Sequence, residues 1–170
     1  EMIEMSRRAG ADDMLVQGGG GNTSAKTNGG ELMYIKASGT SLAEMSQGSG
    51  YRTVKVDCCL DMLGDEELQA LPMAERETRV ASGLLDCCVD SLEGRPSVET
   101  TLHALLGQCV LHTHPSGLNG LLCAQDSKAG VEQLFGELNP PYLYVEYTAP
   151  GYPLAVALKD RVEGPRQKPG

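Results

Sequence analysis

Three side chains in this sequence have the types and spacing of a metal-assisted acid–base centre. His112 and His114 stand two residues apart in the run CVLHTHP at 109–115. That run reads as a buried strand, and side chains at i and i+2 of a strand leave from one face. Two imidazoles on one face supply half of a metal site, and imidazole suits zinc. A histidine among apolar residues is usually a hydrogen-bonded core group, but here two of the chain's three histidines are paired. Glu99, in PSVETTLH at 96–103, adds a carboxylate at the start of an expected helix. Beside a Lewis acid such a group can take and return protons. Its plainer alternative is a surface carboxylate favoured by the helix dipole. His103 follows Glu99 by four residues on the same helix face and reads as an outer support of the site.

Two small-residue turns could cradle an anion. GGGGNTS at 18–24 reads as a loop whose amides can curl around one point, with Asn22, Thr23 and Ser24 adding polar atoms. It lacks the ending of a Walker loop and the strand-to-helix setting of a dinucleotide fingerprint, so alone it fits a flexible turn better. KASGT at 36–40 follows an expected strand and offers amides, hydroxyls and a cation. Ser97 reads as a helix N-cap, where free amides favour an anion.

The elements that must position these groups follow from pattern and punctuation. A helix is expected over 1–10, with arginines near its C-terminal end, and strands over 33–38 and 51–57, the latter alternating with period two. Short helices follow at 57–63 and 65–71. Pro72 opens a longer helix to Leu92, in which Val80, Leu84 and Cys88 recur at i+4. Beyond the break at Gly94–Pro96, a helix runs from Ser97 to Leu106, then a strand over 108–114 and helices over 115–124 and 127–135. A strand over 142–147, a turn at Pro150–Pro153 and a helix over 154–162 complete the series, and EGPRQKPG at 163–170 reads as a polar tail or loop. Strands and helices mixed in this order argue a layered α/β/α domain.

Bulk properties exclude several classes. The 170 residues suit one domain, and a net charge of −9 with no basic stripe argues against a general nucleic-acid binder. No apolar run approaches the roughly 20 residues of a membrane span, and no secretory signal is recognised, so a cytoplasmic protein is expected. The six cysteines (Cys58, Cys59, Cys87, Cys88, Cys109 and Cys123) form no CxxC pair and read as free thiols in a reducing compartment.

Taken in order, GGNTS at 20–24, KASGT at 36–40, PSVETTLH at 96–103 and HTHP at 112–115 resemble the class II aldolase/adducin family, which includes fuculose- and rhamnulose-phosphate aldolases. The nearest look is to bacterial members of the type fused to a short-chain dehydrogenase. The resemblance implies an α/β fold: a three-layer α/β/α sandwich around a mixed, largely antiparallel sheet, with residues 1–162 as the domain. It implies one zinc ion per subunit held by histidines, and His112 and His114 fall on two of the three zinc positions. Glu99 falls at the acid–base residue, which can also touch the metal. Gly21, Asn22, Ser38, Gly39, Ser97 and Val98 fall at the positions that bind the substrate's phosphate. The implied reaction is cleavage of a phosphorylated ketose through an enediolate, by a cyclic tetramer acting on a small sugar phosphate.

Relatives with other activities share the pattern. Pentulose-phosphate epimerases usually carry Asp where this chain has Glu99, methylthioribulose-phosphate dehydratase looks similar, and the non-catalytic head of adducin lacks the metal histidines. The family's third zinc histidine sits in an NHG-like motif after the last helix. No histidine follows His114 here, which leads to the expectation that the chain stops short of that strand.

Overall fold

The computed structural model describes residues 1–27, 29–137 and 142–163. Helix α1 (Met2–Gly10) precedes strands β1 (Asn22–Lys26), β2 (Leu32–Lys36) and β3 (Tyr51–Lys55). Helices α2 (Val56–Asp61), α3 (Glu66–Ala70), α4 (Met73–Asp86) and α5 (Thr100–Leu105) follow, then strand β4 (Cys109–His112). Helices α6 (Ser116–Leu122), α7 (Ser127–Phe135) and α8 (Tyr152–Glu163) close the chain. The four strands form one sheet in the order β3-β2-β1-β4, and every ladder is antiparallel. The parallel pair that a mixed sheet requires is absent among the described residues.

Alternation along the strands sends apolar groups to two clusters. Met33 and Ile35 of β2 and Val54 of β3 pack with α2, α4, α5 and α8 through Cys59, Val80, Leu84, Ala104 and Ala155. Residues of opposite parity, Ala25 and Tyr51, join Met2 and Ala9 of α1, Val16, Leu42 and Met45 in a second cluster. Removing this apolar area from water is the main stabilising term. A buried hydroxyl pair ties α1 to the sheet, with Ser6 Oγ 2.7 Å from Thr23 Oγ1.

Several sequence expectations are corrected. The glycine-rich run is a loop only as far as Gly21, and Asn22–Lys26 is a strand because it pairs on both sides, with β2 and β4. The helix expected to reach Leu92 ends at Asp86. Beyond it the backbone pairs with β3 instead, Lys55 N–H donating to Cys87 O and Val89 N–H to Thr53 O, each at 2.9 Å. No strand forms over 142–147, because no ladder partner reaches it. The strand expected to be buried over 108–114 is an edge strand that stops at His112, with Cys109 and Leu111 exposed, since β1 is its single neighbour among the described residues. Cys58 and Cys87 are joined in a disulfide, so only Cys59, Cys88, Cys109 and Cys123 are free. The bond fastens the C-terminal end of α4 to α2. The tail over 164–170 lies outside the described residues. No helix among them is long and apolar enough to cross a membrane.

Candidate active site

The candidate centre lies where β1, the end of β4 and the start of α5 meet. Antiparallel pairing sets Asn22 opposite His112. The segment before α5 is held from the other direction by β2: Ser97 N–H donates to Lys36 O and Ser38 N–H to Arg95 O. The helix begins two residues later than expected, at Thr100, whose N–H and Oγ1 both donate to Ser97 O at 3.1 and 2.6 Å. Glu99 therefore sits just before the first turn, and its own N–H donates to Ser97 Oγ at 3.3 Å.

The expected convergence is present. Glu99 Oε2 is 3.0 Å from His112 Nδ1, and His112 Nε2 is 3.1 Å from His114 Nε2. His114 lies past the strand, positioned by its N–H to Leu15 O at 2.8 Å. Gly20 lets it lie close, since a Cβ there would be 3.1 Å from His114 Nδ1. Asn22 Nδ2 donates to Ser97 Oγ at 2.5 Å and lies 3.4 Å from Glu99 Oε2. Its Oδ1 is buried without a partner.

His103 is closer to the centre than an outer support. Its ring is fully buried, Nδ1 is 2.8 Å from Ser24 Oγ, and Nε2 has no hydrogen-bond partner. Glu99, His103 and His112 form a group whose donor atoms lie within 4.8 Å of one another. The i, i+4 relation to Glu99 was the sequence signal for this. Lys36, the cation of KASGT, is buried, and its Nζ donates to Gly19 O at 3.3 Å.

Electrostatics fit an ionised carboxylate beside a neutral His103 ring. Burial acts to raise the Glu99 pKa, yet the hydrogen bond and charge of His112, then the Asn22 amide and His103, hold it below the usual carboxylate range. Burial pushes His103 down to about 4, against the pull of Glu99, so its ring is neutral at neutral pH. Burial likewise lowers Lys36, opposed by Glu99. A neutral ring with an orphaned Nε2 is the protonation state a metal ligand requires. Two imidazole nitrogens at 3.1 Å also cannot both carry a proton toward each other. The residues present therefore fit a divalent metal.

The expected phosphate residues fall into two places. Gly21, Asn22 and Ser97 are buried beside the centre, whereas Ser38 and Val98 are exposed and line a cavity of about 600 Å³ against α4 and the turn at 150–153. Gly39 is exposed next to Ser38. A small antiparallel sheet flanked by helices, with a Glu/His donor cluster at its edge, defines an α/β domain with a candidate metal site. Residues 1–168 match the Class II Aldolase and Adducin N-terminal domain, and the chain belongs to that family.

Among similar proteins, the "Uncharacterized oxidoreductase YuxG" of Bacillus subtilis (strain 168) is 31% identical over 95% of this chain. The match spans only 23% of that relative's length. The N-terminal class II aldolase domain of a conserved protein from Thermoplasma acidophilum superposes with a TM-score of 0.76 at 27% identity, covering 95% of this chain and 73% of that one.

Proposed function

We propose that this chain is a zinc-dependent aldolase domain that cleaves a carbon–carbon bond of a phosphorylated ketose, such as a ketose 1-phosphate. The observation that carries the reading is the Glu99–His112–His114 chain of contacts at 3.0 and 3.1 Å. His112 and His114 would hold the zinc, with Glu99 and His103 as the further donors of the cluster. When bound, the ion supplies Lewis acidity toward a carbonyl and neighbouring hydroxyl oxygen, the property that makes an enediolate accessible.

The remaining work belongs to the chain's own groups. Glu99 exchanges the proton at the carbon freed by cleavage, a role suited to a carboxylate that hydrogen bonds keep ionised between turnovers. Asn22 Nδ2 braces that carboxylate, Ser97 Oγ fixes the Glu99 backbone by accepting from its N–H, and the free Asn22 Oδ1 can accept from a substrate hydroxyl. Gly21, Asn22, Ser38, Gly39, Ser97 and Val98 hold the phosphate, so binding energy far from the reacting bond orients it.

Glu99, where related epimerases usually carry Asp, supports cleavage over epimerisation, and the paired histidines support catalysis over an adducin-like assembly role. The same reading takes the helices packed on the two apolar clusters as the outer layers of an α/β/α sandwich spanning 1–162. It takes a small sugar phosphate as the partner in a cytoplasmic homo-tetramer. The relative described as an oxidoreductase is much longer than this match, which accords with an aldolase-type domain joined to a dehydrogenase segment.

The test is to incubate the zinc-loaded full-length protein with rhamnulose 1-phosphate and fuculose 1-phosphate and measure dihydroxyacetone phosphate release. E99Q is expected to retain zinc while losing roughly 10²–10⁴-fold in rate. Substrate that loses water or epimerises without carbon–carbon cleavage would remove the aldolase reading.

A further inference from the structure

The phosphate residues named above are all neutral: Gly21, Asn22, Ser38, Gly39, Ser97 and Val98. A phosphate dianion approaching a chain of net charge −9 is favoured by a cation nearby. Lys36 is buried and engaged, with its ammonium on Gly19 O and in the field of Glu99. The cavity of about 600 Å³ that Ser38 and Val98 line contains two arginines, Arg76 and Arg95, facing Tyr152 and a single carboxylate, Glu77. Arg76 Nη1 already donates to Gln69 O and Leu71 O. Arg95 is exposed, and its guanidinium has no hydrogen bond or ion pair among the described residues. Its backbone is nonetheless fixed: Ser38 N–H donates to Arg95 O at 2.8 Å, and Ala37 bridges Pro96.

We propose that Arg95 is a substrate-binding residue that pairs with the phosphate of the ketose from the rim of this cavity, beside Ser38 and Val98. This rests on the aldolase reading for the identity of the substrate, but the ligand chemistry, a phosphate monoester, stands on the cavity itself. A guanidinium fork matches two phosphate oxygens at once, which an ammonium cannot reproduce. Arg95 contacts no reacting atom, so its loss weakens binding while the chemical step persists.

The experiment uses the full-length protein and two readouts. Inorganic phosphate binding is measured by calorimetry for the wild type, R95Q, R95K and R79Q, the last altering an α4 arginine outside the cavity. R95Q is expected to weaken phosphate binding about tenfold or more, R95K to fall between, and R79Q to match the wild type. With ketose 1-phosphate, R95Q is expected to raise KM with kcat nearly unchanged. If R95Q binds phosphate as the wild type does, or the wild type binds none, the inference is overturned even where cleavage is observed. If phosphate binding depends on Arg95 but no ketose phosphate is cleaved, the inference stands and the aldolase reading falls.

Discussion

A single methyl at Gly21 probes the whole site, because this residue joins the glycine run to the strand that carries Asn22. Its φ of +70° lies in the left-handed region, which costs a residue with a side chain roughly 1–2 kcal/mol. A Cβ there would lie 3.0 Å from the His112 carbonyl oxygen and 3.1 Å from both Leu42 Cδ1 and Val16 Cγ1. Leu42 and Val16 are buried and have no room to swing aside; overpacking of this kind adds about 1–3 kcal/mol. Stiffening of the unfolded chain offsets about 0.4–1 kcal/mol. G21A should therefore destabilise by about 2–4 kcal/mol. Gly48 is the control: its φ is +88°, yet a Cβ would meet nothing within 4 Å. G48A should cost only about 1 kcal/mol. Because relief of the clash moves the His112 backbone, G21A should also weaken zinc binding about tenfold or more. Urea unfolding compares the two variants, and competition with a chromophoric chelator reads zinc affinity. Equal destabilisation by G21A and G48A, with zinc affinity unchanged, would refute the packing argument.

Two further outcomes concern the frame. The Cys58–Cys87 bridge spans a sequence separation of 29, and closing a loop of that size constrains the unfolded chain by about 3–4 kcal/mol. Dithiothreitol or C58S should lower the unfolding free energy by that amount; coincident urea curves with and without reductant would show that the bond contributes nothing. Asp90 accepts from Arg52 Nε at 2.8 Å, from Leu92 N–H at 3.0 Å and from Thr53 N–H. Burial raises its pKa, but the Thr53 amide and Arg52 outweigh that and hold it below the usual range. A depressed folded-state pKa gives stability that is present above the unfolded value, about 3.9, and lost as pH falls through the folded one. D90N should cost about 3–5 kcal/mol at neutral pH by leaving Arg52 buried and unpaired. It should also remove part of the acid sensitivity. A D90N protein whose stability falls between pH 7 and pH 3 as much as the wild type's would contradict this.

What could be read from the sequence was whatever local spacing encodes. His112 and His114 are two residues apart, and Glu99 and His103 four apart, so each pair's common direction follows from strand or helix geometry alone. The helix at Ser127–Phe135 was legible for the same reason. What escaped depends on partners distant in sequence. Asn22–Lys26 looks like loop by composition and becomes a strand because β2 and β4 flank it. The helix expected to reach Leu92 stops at Asp86 because β3 offers Cys87 and Val89 better backbone partners than another helical turn would. Residues 142–147 carry aromatic and branched side chains suited to a strand, but strand propensity without a ladder partner yields none. Cys58 and Cys87 meet only once that pairing with β3 brings the end of α4 to α2. His103 shows the same limit within the site. Its helical spacing placed it behind Glu99, but only the packing of α5 on β1 leaves Ser24 on Nδ1 and Nε2 free toward the cluster. A spacing motif thus names candidate donors, and the long-range hydrogen bonds of the sheet decide which of their nitrogens remain available.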